Sequence, residues 1–280
     1  MSGSSLAIDI RKVSGEIQLD IEDSVSVEEP LEIQLSTAVA SGAAAKSISL
    51  TMRTPGNDAD LALGFLFTEG IIKAFNQVES VAAAGAVDPT TGRRNTIRVT
   101  LVPEVAIDYE RLQRHFYTTS SCGVCGKASL DALKVTGLAS LKRADTRFSY
   151  DVIVAMPDRL REQQYLFSAT GGLHAAAAFD SRGEIAVLRE DVGRHNAVDK
   201  VIGWLLSEKR LPASALGLMV SGRASFELVQ KALVAGMPLL AAVGAPSSLA
   251  VQTAREFDMT LIGFLRDGQF NLYSGNERIC

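Results

Sequence analysis

Residues 216–265, LGLMVSGRASFELVQKALVAGMPLLAAVGAPSSLAVQTAREFDMTLIGFL, carry the pattern that decides the fold. Short apolar runs bounded by turn residues are typical of buried strands; here they occupy 216–220, 239–243 and 260–265. The segments between them, SFELVQKALVAG and SSLAVQTAREF, have apolar residues at helical spacing. This β-α-β-α-β order predicts a mostly parallel sheet covered by helices, with ligands outside the carboxyl ends of its strands.

The first hundred residues show a different pattern, in which β-branched runs alternate with turn residues. Strands are predicted at 47–55 and 95–103. The stretch 58–72, DADLALGFLFTEGII, is apolar at helical spacing and opens with acids, which favours a helix. This part is therefore predicted to be α+β.

Between these two parts the chain becomes small, polar and glycine-rich, and its most polar connector is LKRADTRFSYD at 141–151. We predict three units: a smaller N-terminal α+β domain at 1–120, a mobile loop with a helix and linker at 121–150, and a larger α/β domain at 151–280.

Composition excludes several classes of protein. The 280 residues are 47% apolar, enough for a globular core, and the formal net charge of -4 argues against nucleic-acid binding. The start, MSGSSLAIDIRKV, lacks an apolar signal region, and no apolar run approaches a membrane span. We expect a cytoplasmic protein without membrane or nucleic-acid partners. Its three cysteines do not indicate a disulfide framework.

Two of these cysteines lie in the motif Cys122-Gly123-Val124-Cys125-Gly126-Lys127. Glycines leave the backbone free to move, which suits a segment that carries a sulfur atom between partners. A nearby cation or helix N-terminus lowers a thiol pKa, and Lys127 and a helix starting near residue 128 would supply both. The resulting thiolate could accept a persulfide sulfur and pass it on.

Other functions for the pair stay open. Half of a zinc site is one, although a structural site needs four ligands and only His115, His174 and His195 stand elsewhere. A thioredoxin-like dithiol and inert buried cysteines are the others. Zinc deamination is not supported, because that signature places H-x-E before P-C-x-x-C.

Four loops of the second half combine glycine with small hydroxyl residues and a cation or histidine; they are residues 169–174, 189–196, 221–225 and 263–269. Such loops favour anion binding, most clearly where one joins a strand to a helix. Each also suits an ordinary turn, so Arg194, His195 and Arg223 cannot be ranked as ligand contacts. For His174 the alternative is a packed histidine at the start of a buried segment, and the helix after His195 and Trp204 are expected to belong to the core. No G-x-G-x-x-G or Walker A motif is present.

Six stretches together closely resemble the FdhD family of formate dehydrogenase accessory sulfurtransferases. They are RTPGNDADLALGFLFTEGII (53–72), TSSCGVCGK (119–127), TGGLHAAA (170–177), REDVGRHNAVDKVIG (189–203), SGRASFELVQKA (221–232) and TLIGFLRDGQ (260–269). The resemblance runs from about residue 28 to near the C-terminus. Two departures are Gly244, where a serine is expected, and Cys280, which matches nothing in the family.

The resemblance implies a function. Such proteins take sulfur from a cysteine desulfurase and give it to the molybdenum cofactor, Mo-bis(molybdopterin guanine dinucleotide), for formate dehydrogenase. It implies Cys122 as the persulfide carrier and Cys125 as a resolving or relay thiol. The family's cofactor-contacting residues fall on Phe264, Leu265, Arg266, Asp267, Gly268 and Gln269.

The resemblance further implies a cytidine-deaminase-like fold for the larger domain, without the zinc site and with no metal bound directly by the protein, and a homodimer. The alternative is a binding chaperone that holds the cofactor for formate dehydrogenase without sulfur transfer. Persulfide formation distinguishes the two.

Overall fold

The structure, a computed structural model, describes residues 3–38, 45–105, 140–141 and 145–280. Within these ranges the protein is α/β and α+β, as predicted, with twelve strands in three sheets and six α-helices. The predicted boundary at residue 120 lies outside the described residues, and the one at residue 150 lies shortly after the gap at 142–144. The three units therefore stay a prediction.

The chain begins with a two-stranded antiparallel ribbon, β1 (Ser5–Ser14) and β2 (Ile17–Ser26). A four-stranded sheet follows in the order β4-β3-β6-β5. Its strands are β3 (Glu29–Thr37), β4 (Lys46–Arg53), β5 (Val78–Val87) and β6 (Arg94–Leu101). Strands β4 and β6 correspond to the two predicted strands, which are thereby confirmed.

Helix α1 (Asp58–Thr68) covers one face of this sheet. The prediction extended it to Ile72, but the backbone turns left-handed at Gly70, where φ is 72°. The N–H of Ile71 donates to the carbonyl of Leu66 at 2.8 Å and that of Gly70 to the carbonyl of Phe67 at 3.0 Å, a Schellman motif that ends the helix.

The second half forms a six-stranded sheet in the order β12-β11-β10-β9-β7-β8. Its strands are β7 (His174–Phe179), β8 (Ile185–Asp191), β9 (Gly217–Val220), β10 (Leu239–Ala242), β11 (Thr260–Arg266) and β12 (Gln269–Ser274). Strands β9, β10 and β11 are parallel and confirm the predicted runs. The expectation of a mostly parallel sheet was wrong, because tight turns join β7 to β8 and β11 to β12, and such turns connect antiparallel strands.

Helices cover both faces of this sheet. They are α2 (Tyr150–Glu162), α4 (Arg194–Ser207), α5 (Phe226–Val234) and α6 (Ser248–Glu256). The short helix α3 (Tyr165–Thr170) has no buried residue and lies beside the β1–β2 ribbon. In β7, Ala175 and Ala177 lie in the core beneath α2, whereas Ala176 and Ala178 lie in the core that α4, α5 and α6 share. Because successive strand residues point to opposite faces, a strand covered on both sides is apolar throughout.

The two sheets are joined where α1 crosses α4 at a pair of glycines. A Cβ atom on Gly64 would lie 1.8 Å from the carbonyl oxygen of Asp199, and one on Gly203 would lie 1.8 Å from that of Asp60. No side chain fits at either position, so the helices approach to backbone contact. This crossing places the first half of the chain beside β8 and the start of α4.

Candidate ligand site at the carboxyl edge of the sheet

The loops that follow β9 and β10 and the last residues of β11 form a continuous ledge at one edge of the sheet. The N–H of Gly244 donates to the carbonyl of Gly222 at 3.0 Å, and the N–H of Phe264 donates to the carbonyl of Gly244 at 3.1 Å. A Cβ atom on Gly244 would lie 3.0 Å from Cγ of Arg223, so the residue found here in place of serine suits the close approach of two loops. The ledge lies outside the carboxyl ends of parallel strands, where ligands of such sheets bind.

The other two glycine-rich loops reach the same edge because β7 runs antiparallel to β9 and β8. His174 begins β7 and pairs with Asp191, the last residue of β8. The N–H of Ala175 donates to the hydroxyl of Ser221 at 2.9 Å, which ties the start of β7 to the loop after β9. All four loops singled out in the sequence therefore lie along one edge.

Three groups that can carry positive charge meet at this edge. Burial lowers the pKa of His174, and its neighbours Arg194 and His195 lower it further against an opposing effect of Asp191. The Nε atom of Arg194 is buried and has no hydrogen-bond partner among the described residues. His195 Nε2 lies 3.9 Å from a carboxylate oxygen of the exposed side chain of Glu227. The cluster has the character of a site for an anionic ligand.

The loop at 189–196 has a structural role that sequence reasoning missed. Asp191 is fully buried and lies 2.7 Å from Nζ of Lys200. Its carboxylate also accepts from the N–H groups of Thr54 at 3.2 Å and Gly193 at 2.8 Å. The carboxylate therefore holds the loop against the segment before α1, and it is not free for a ligand. The sequence predicted only a plain core helix around Lys200.

More contacts of this kind connect the stretches 53–72 and 189–203. Arg189 donates to the Asp60 carboxylate at 2.8 and 2.9 Å. Thr68 donates to Asp199 at 2.9 Å, and Asp199 also accepts from Lys231 at 2.9 Å. Many of the charged and polar residues in these two stretches therefore serve packing between the two halves of the protein. Within the stretch 189–203, Arg194 and His195 remain as the candidates for ligand binding.

A cavity of about 530 Å³ opens beside this edge. Its lining includes His174, Ser221, Gly172, Arg161 and Phe167. The Arg161 guanidinium lies 4.1 Å from the centre of the Phe167 ring, so a cation and an aromatic face are presented together. Its size is ordinary for a small-molecule site. Sequence reasoning missed Arg161 and Phe167, because α2 and α3 carry no motif.

A second cavity of about 560 Å³ lies along the outer side of β8, between Asn57 and Tyr165. It includes Lys200, whose ammonium is already paired with Asp191. The cavity beside His174 is the stronger candidate, because two of the glycine-rich loops line it.

The stretch 264–269 forms the hairpin between β11 and β12 at the end of the ledge. Phe264 is half-buried with φ of 53°, and Asp267 and Gly268 turn the chain with φ of 53° and 70°. Residues 266–269 are exposed, but Leu265 is fully buried in the core beneath α2. Leu265 therefore offers a ligand its backbone and not its side chain.

Cys122 and Cys125 lie outside the described residues. Cys280 is a free, exposed cysteine at the C-terminus. In the described part of the chain, no cluster of three or more His, Cys, Asp or Glu side chains is arranged to hold a metal ion. Among those same residues, no helix combines the length and apolar character needed to cross a membrane.

The fold and the site together define the class of protein. It is an α/β protein whose candidate ligand site lies at the carboxyl edge of a mixed sheet. A second sheet lies beside it, and the two are joined where helices α1 and α4 cross at a pair of glycines. A crystal structure described as that of a formate dehydrogenase accessory protein from Desulfotalea psychrophila has this fold, with a TM-score of 0.73, 23% identity and coverage of 99% of each chain. The chain belongs to the FdhD/NarQ family, whose model matches residues 26–280.

Curated relatives are similar over most of their length. The sulfur carrier protein FdhD of Mycolicibacterium paratuberculosis is 50% identical over 258 residues, which cover 92% of each chain. The protein of the same name from Streptomyces avermitilis is 48% identical, covering 92% of this chain and 89% of its own. That of Sulfurisphaera tokodaii is 42% identical, covering 97% of this chain and 98% of its own.

Proposed function

We propose that this protein is a sulfurtransferase that accepts persulfide sulfur from a cysteine desulfurase on Cys122 and transfers it to Mo-bis(molybdopterin guanine dinucleotide). The modified cofactor then serves formate dehydrogenase. The observation that carries the proposal is identity of up to 50%, over 92% of both chains, with proteins named sulfur carrier. A cytoplasmic location is part of the proposal.

The sulfur chemistry balances with the two cysteines. The Cys122 thiolate attacks the outer sulfur of the donor persulfide, forms Cys122-S-SH and releases the donor thiolate. Attack by Cys125 on the inner sulfur then expels the outer sulfur as hydrosulfide and leaves a Cys122–Cys125 disulfide. The two electrons that reduce the sulfur come from the two thiols, and a thiol reductant restores them.

The acceptor is an anionic dinucleotide, and the edge of the sheet has features that suit one. Arg194 provides positive charge at the loop edge, and His174, whose pKa is lowered by burial, adds a ring that can hydrogen-bond. The adjacent cavity presents Arg161 over Phe167, and aromatic faces and guanidinium planes both stack on planar bases. We assign phosphate binding to His174 and Arg194. We assign contacts with the guanine ends to the 264–269 hairpin. A second copy of the chain completes the proposed partners.

Persulfide formation tests the sulfurtransferase proposal. The purified protein is incubated with a cysteine desulfurase and cysteine, and peptide mass spectrometry is expected to find one added sulfur atom on Cys122. Cys122→Ala should lose that sulfur and should fail to restore formate dehydrogenase activity in cells that lack the protein. Cys280→Ala is the matched control, because Cys280 is an exposed free thiol outside the motif.

Several outcomes contradict the proposal. Full activity in cells with Cys122→Ala supports the binding chaperone instead. Stoichiometric zinc that is lost with Cys122→Ala or Cys125→Ala supports a metal site. Sulfur loading on Cys280 alone indicates a non-specific thiol reaction.

Binding of GDP tests the acceptor assignment separately. Arg266→Ala, at the hairpin, is expected to weaken GDP binding about tenfold if its guanidinium contacts the nucleotide. Arg182→Ala is the control, because its side chain is 73% exposed and lies in the β7–β8 turn at the opposite edge. Equal affinity of both variants would remove the hairpin from the site.

A further inference from the structure

The cavity beside His174 contains a buried amide that is free to bind a ligand. Gln164 is only 4% exposed and lines the cavity. Its backbone carbonyl accepts from the N–H of Ser168, but its side-chain amide makes no hydrogen bond to any other described residue. A glutamine amide has two donors and one acceptor, and burying such a group without partners costs free energy. The amide is therefore available to a polar molecule that enters the cavity.

A cation packed over an aromatic ring borders the same cavity. The guanidinium of Arg161 lies 4.1 Å from the centre of the Phe167 ring, and both residues line the cavity. Because Arg161 is exposed, the ring covers one face of its planar guanidinium and leaves the other open. Planar heterocycles stack on guanidinium and aromatic faces. This pair can hold the face of a ring while the amide of Gln164 contacts its edge.

Most of the remaining lining is small or apolar. Pro157, Leu160 and Val243 are apolar, and Gly171 and Gly172 carry no side chain. Among the described residues that line the cavity there is no carboxylate. The cavity therefore suits a flat molecule without positive charge.

The proposed acceptor contains two kinds of flat ring, which are guanine at its ends and pterin next to the metal. Both rings carry an aminopyrimidinone edge, in which N–H donors adjoin a carbonyl acceptor. The amide of Gln164 can pair with a donor and an acceptor of such an edge at the same time. This chemistry is shared by the two rings, so their positions in the fold must separate them.

The cavity and the 264–269 hairpin lie at different places along one edge of the sheet. The start of β7 and the residue after β9 line the cavity, whereas the hairpin follows β11, and β10 lies between β9 and β11. Neighbouring strands are about 4.8 Å apart, so roughly 10–15 Å separate the two places. The exposed Arg223 lies on the ledge between them. With guanine at the hairpin, the ribose and the anionic pyrophosphate cross the ledge, and the pterin reaches the cavity.

We propose that this cavity binds the pterin ring system of the cofactor, with Gln164 paired to its aminopyrimidinone edge and Arg161 stacked on its face. This assignment rests on the proposed function, because the guanine site at the hairpin fixes the other end of the ligand. It gives a role to Arg161, Gln164 and Phe167, which lie outside the motifs identified in the sequence. Pterin and guanine nucleotide are then expected to bind at the same time.

Binding of free hydroxymethylpterin, whose ring is fluorescent, tests the assignment. Fluorescence anisotropy with the full chain is expected to show saturable binding, and saturating GDP should leave the pterin Kd unchanged. Gln164→Leu removes the amide at similar size, and Arg161→Leu removes the planar cation. Each should raise the pterin Kd about tenfold and leave the GDP Kd unchanged.

Two further variants serve as controls. Arg159→Leu lies on the same helix as Arg161, but Arg159 donates to the carbonyl of Gly183 at 2.6 Å, in the turn between β7 and β8. This change should leave the pterin Kd unaltered. Arg266→Ala should have the opposite effect to Arg161→Leu, weakening GDP and not pterin. Circular dichroism checks that each variant is folded, and Arg161→Leu, at an exposed position, tests the cavity even if the change at Gln164 impairs folding.

Several results would overturn the assignment. One is the absence of saturable pterin binding by the unaltered protein up to millimolar concentration, and another is an unchanged pterin Kd in Arg161→Leu together with any folded Gln164→Leu. Competition between GDP and pterin, with Arg161→Leu weakening both, would make the cavity the guanine site. Loss of Cys122 persulfide loading with pterin binding retained would refute the sulfur relay alone and would support the cavity assignment.

Discussion

The carboxylate of Asp191 lies 2.7 Å from the ammonium of Lys200, and neither side chain is more than 2% exposed. Lys200 also donates to the carbonyl of Thr54 at 2.9 Å, and Asp191 accepts from the N–H of the same residue. The pair therefore joins the end of β8 and the middle of α4 to the chain that precedes α1. It holds the edge of the sheet that contains His174 against the first half of the protein.

Removing one partner of this ion pair should destabilise the fold strongly. Lys200→Met leaves the Asp191 carboxylate buried without its cation, and we expect the free energy of unfolding to fall by about 3–5 kcal/mol. Urea denaturation measures the change. Arg182→Met is the control, since its ion pairs are exposed to solvent and should contribute little to stability. A loss below about 1 kcal/mol in Lys200→Met would show that the pair does not hold the two halves together.

The helix crossing makes a second prediction. Gly203→Ala places a Cβ atom 1.8 Å from the carbonyl of Asp60, which is backbone and cannot rotate away. We expect a cost of roughly 3 kcal/mol, near the upper end for overpacking, although alanine favours helices. Gly15→Ala, in the ribbon turn, has nothing within 4 Å and should lose only about 1 kcal/mol through its φ of 61°. Thermal unfolding compares the two, and equal losses would argue against a close crossing.

The pKa of His174 should lie below its ordinary value of 6.5, because burial and the nearby Arg194 both oppose its charge. Between the folded pKa and 6.5 the unfolded chain binds more protons than the folded one, so this residue makes stability rise with pH in that window. Arg194→Met should raise the pKa, and Arg159→Met, on α2, should not. NMR titration of the ring proton follows it, and a midpoint at or above 6.5 in the unaltered protein would contradict the prediction.

The hairpin residues should separate into structural and ligand-binding roles. Leu265→Ala removes a fully buried side chain from the core and should cost about 2–5 kcal/mol. Gln269→Ala changes an exposed side chain and should leave stability within about 0.5 kcal/mol while weakening GDP binding. Chemical denaturation and calorimetric titration measure the two effects. A stability loss in Gln269→Ala as large as in Leu265→Ala would refute the division.

The elements that the sequence predicted well are those whose signal is local. Strands β9, β10 and β11 and the helices between them were identifiable because each buried run is short and each helix repeats its apolar residues. The poor prediction for the end of α1 also has a local cause, since Gly70 interrupts an apolar pattern that continues to Ile72. The cysteine motif and the four loops were likewise identifiable from composition alone.

The tertiary structure alone decided which of these residues are available to a ligand. Lys200 and Thr54 are 146 residues apart, so no local pattern indicates that Asp191 is occupied between them. Arg161 and Phe167 join the candidate site only because α2 and α3 pack beside the sheet edge. By itself the sequence determined the elements that have a local apolar pattern, the position of the cysteine motif and the family. Long-range packing decided which charges are buried in pairs and which remain at the edge, because desolvation requires a buried charge to find a partner anywhere in the chain.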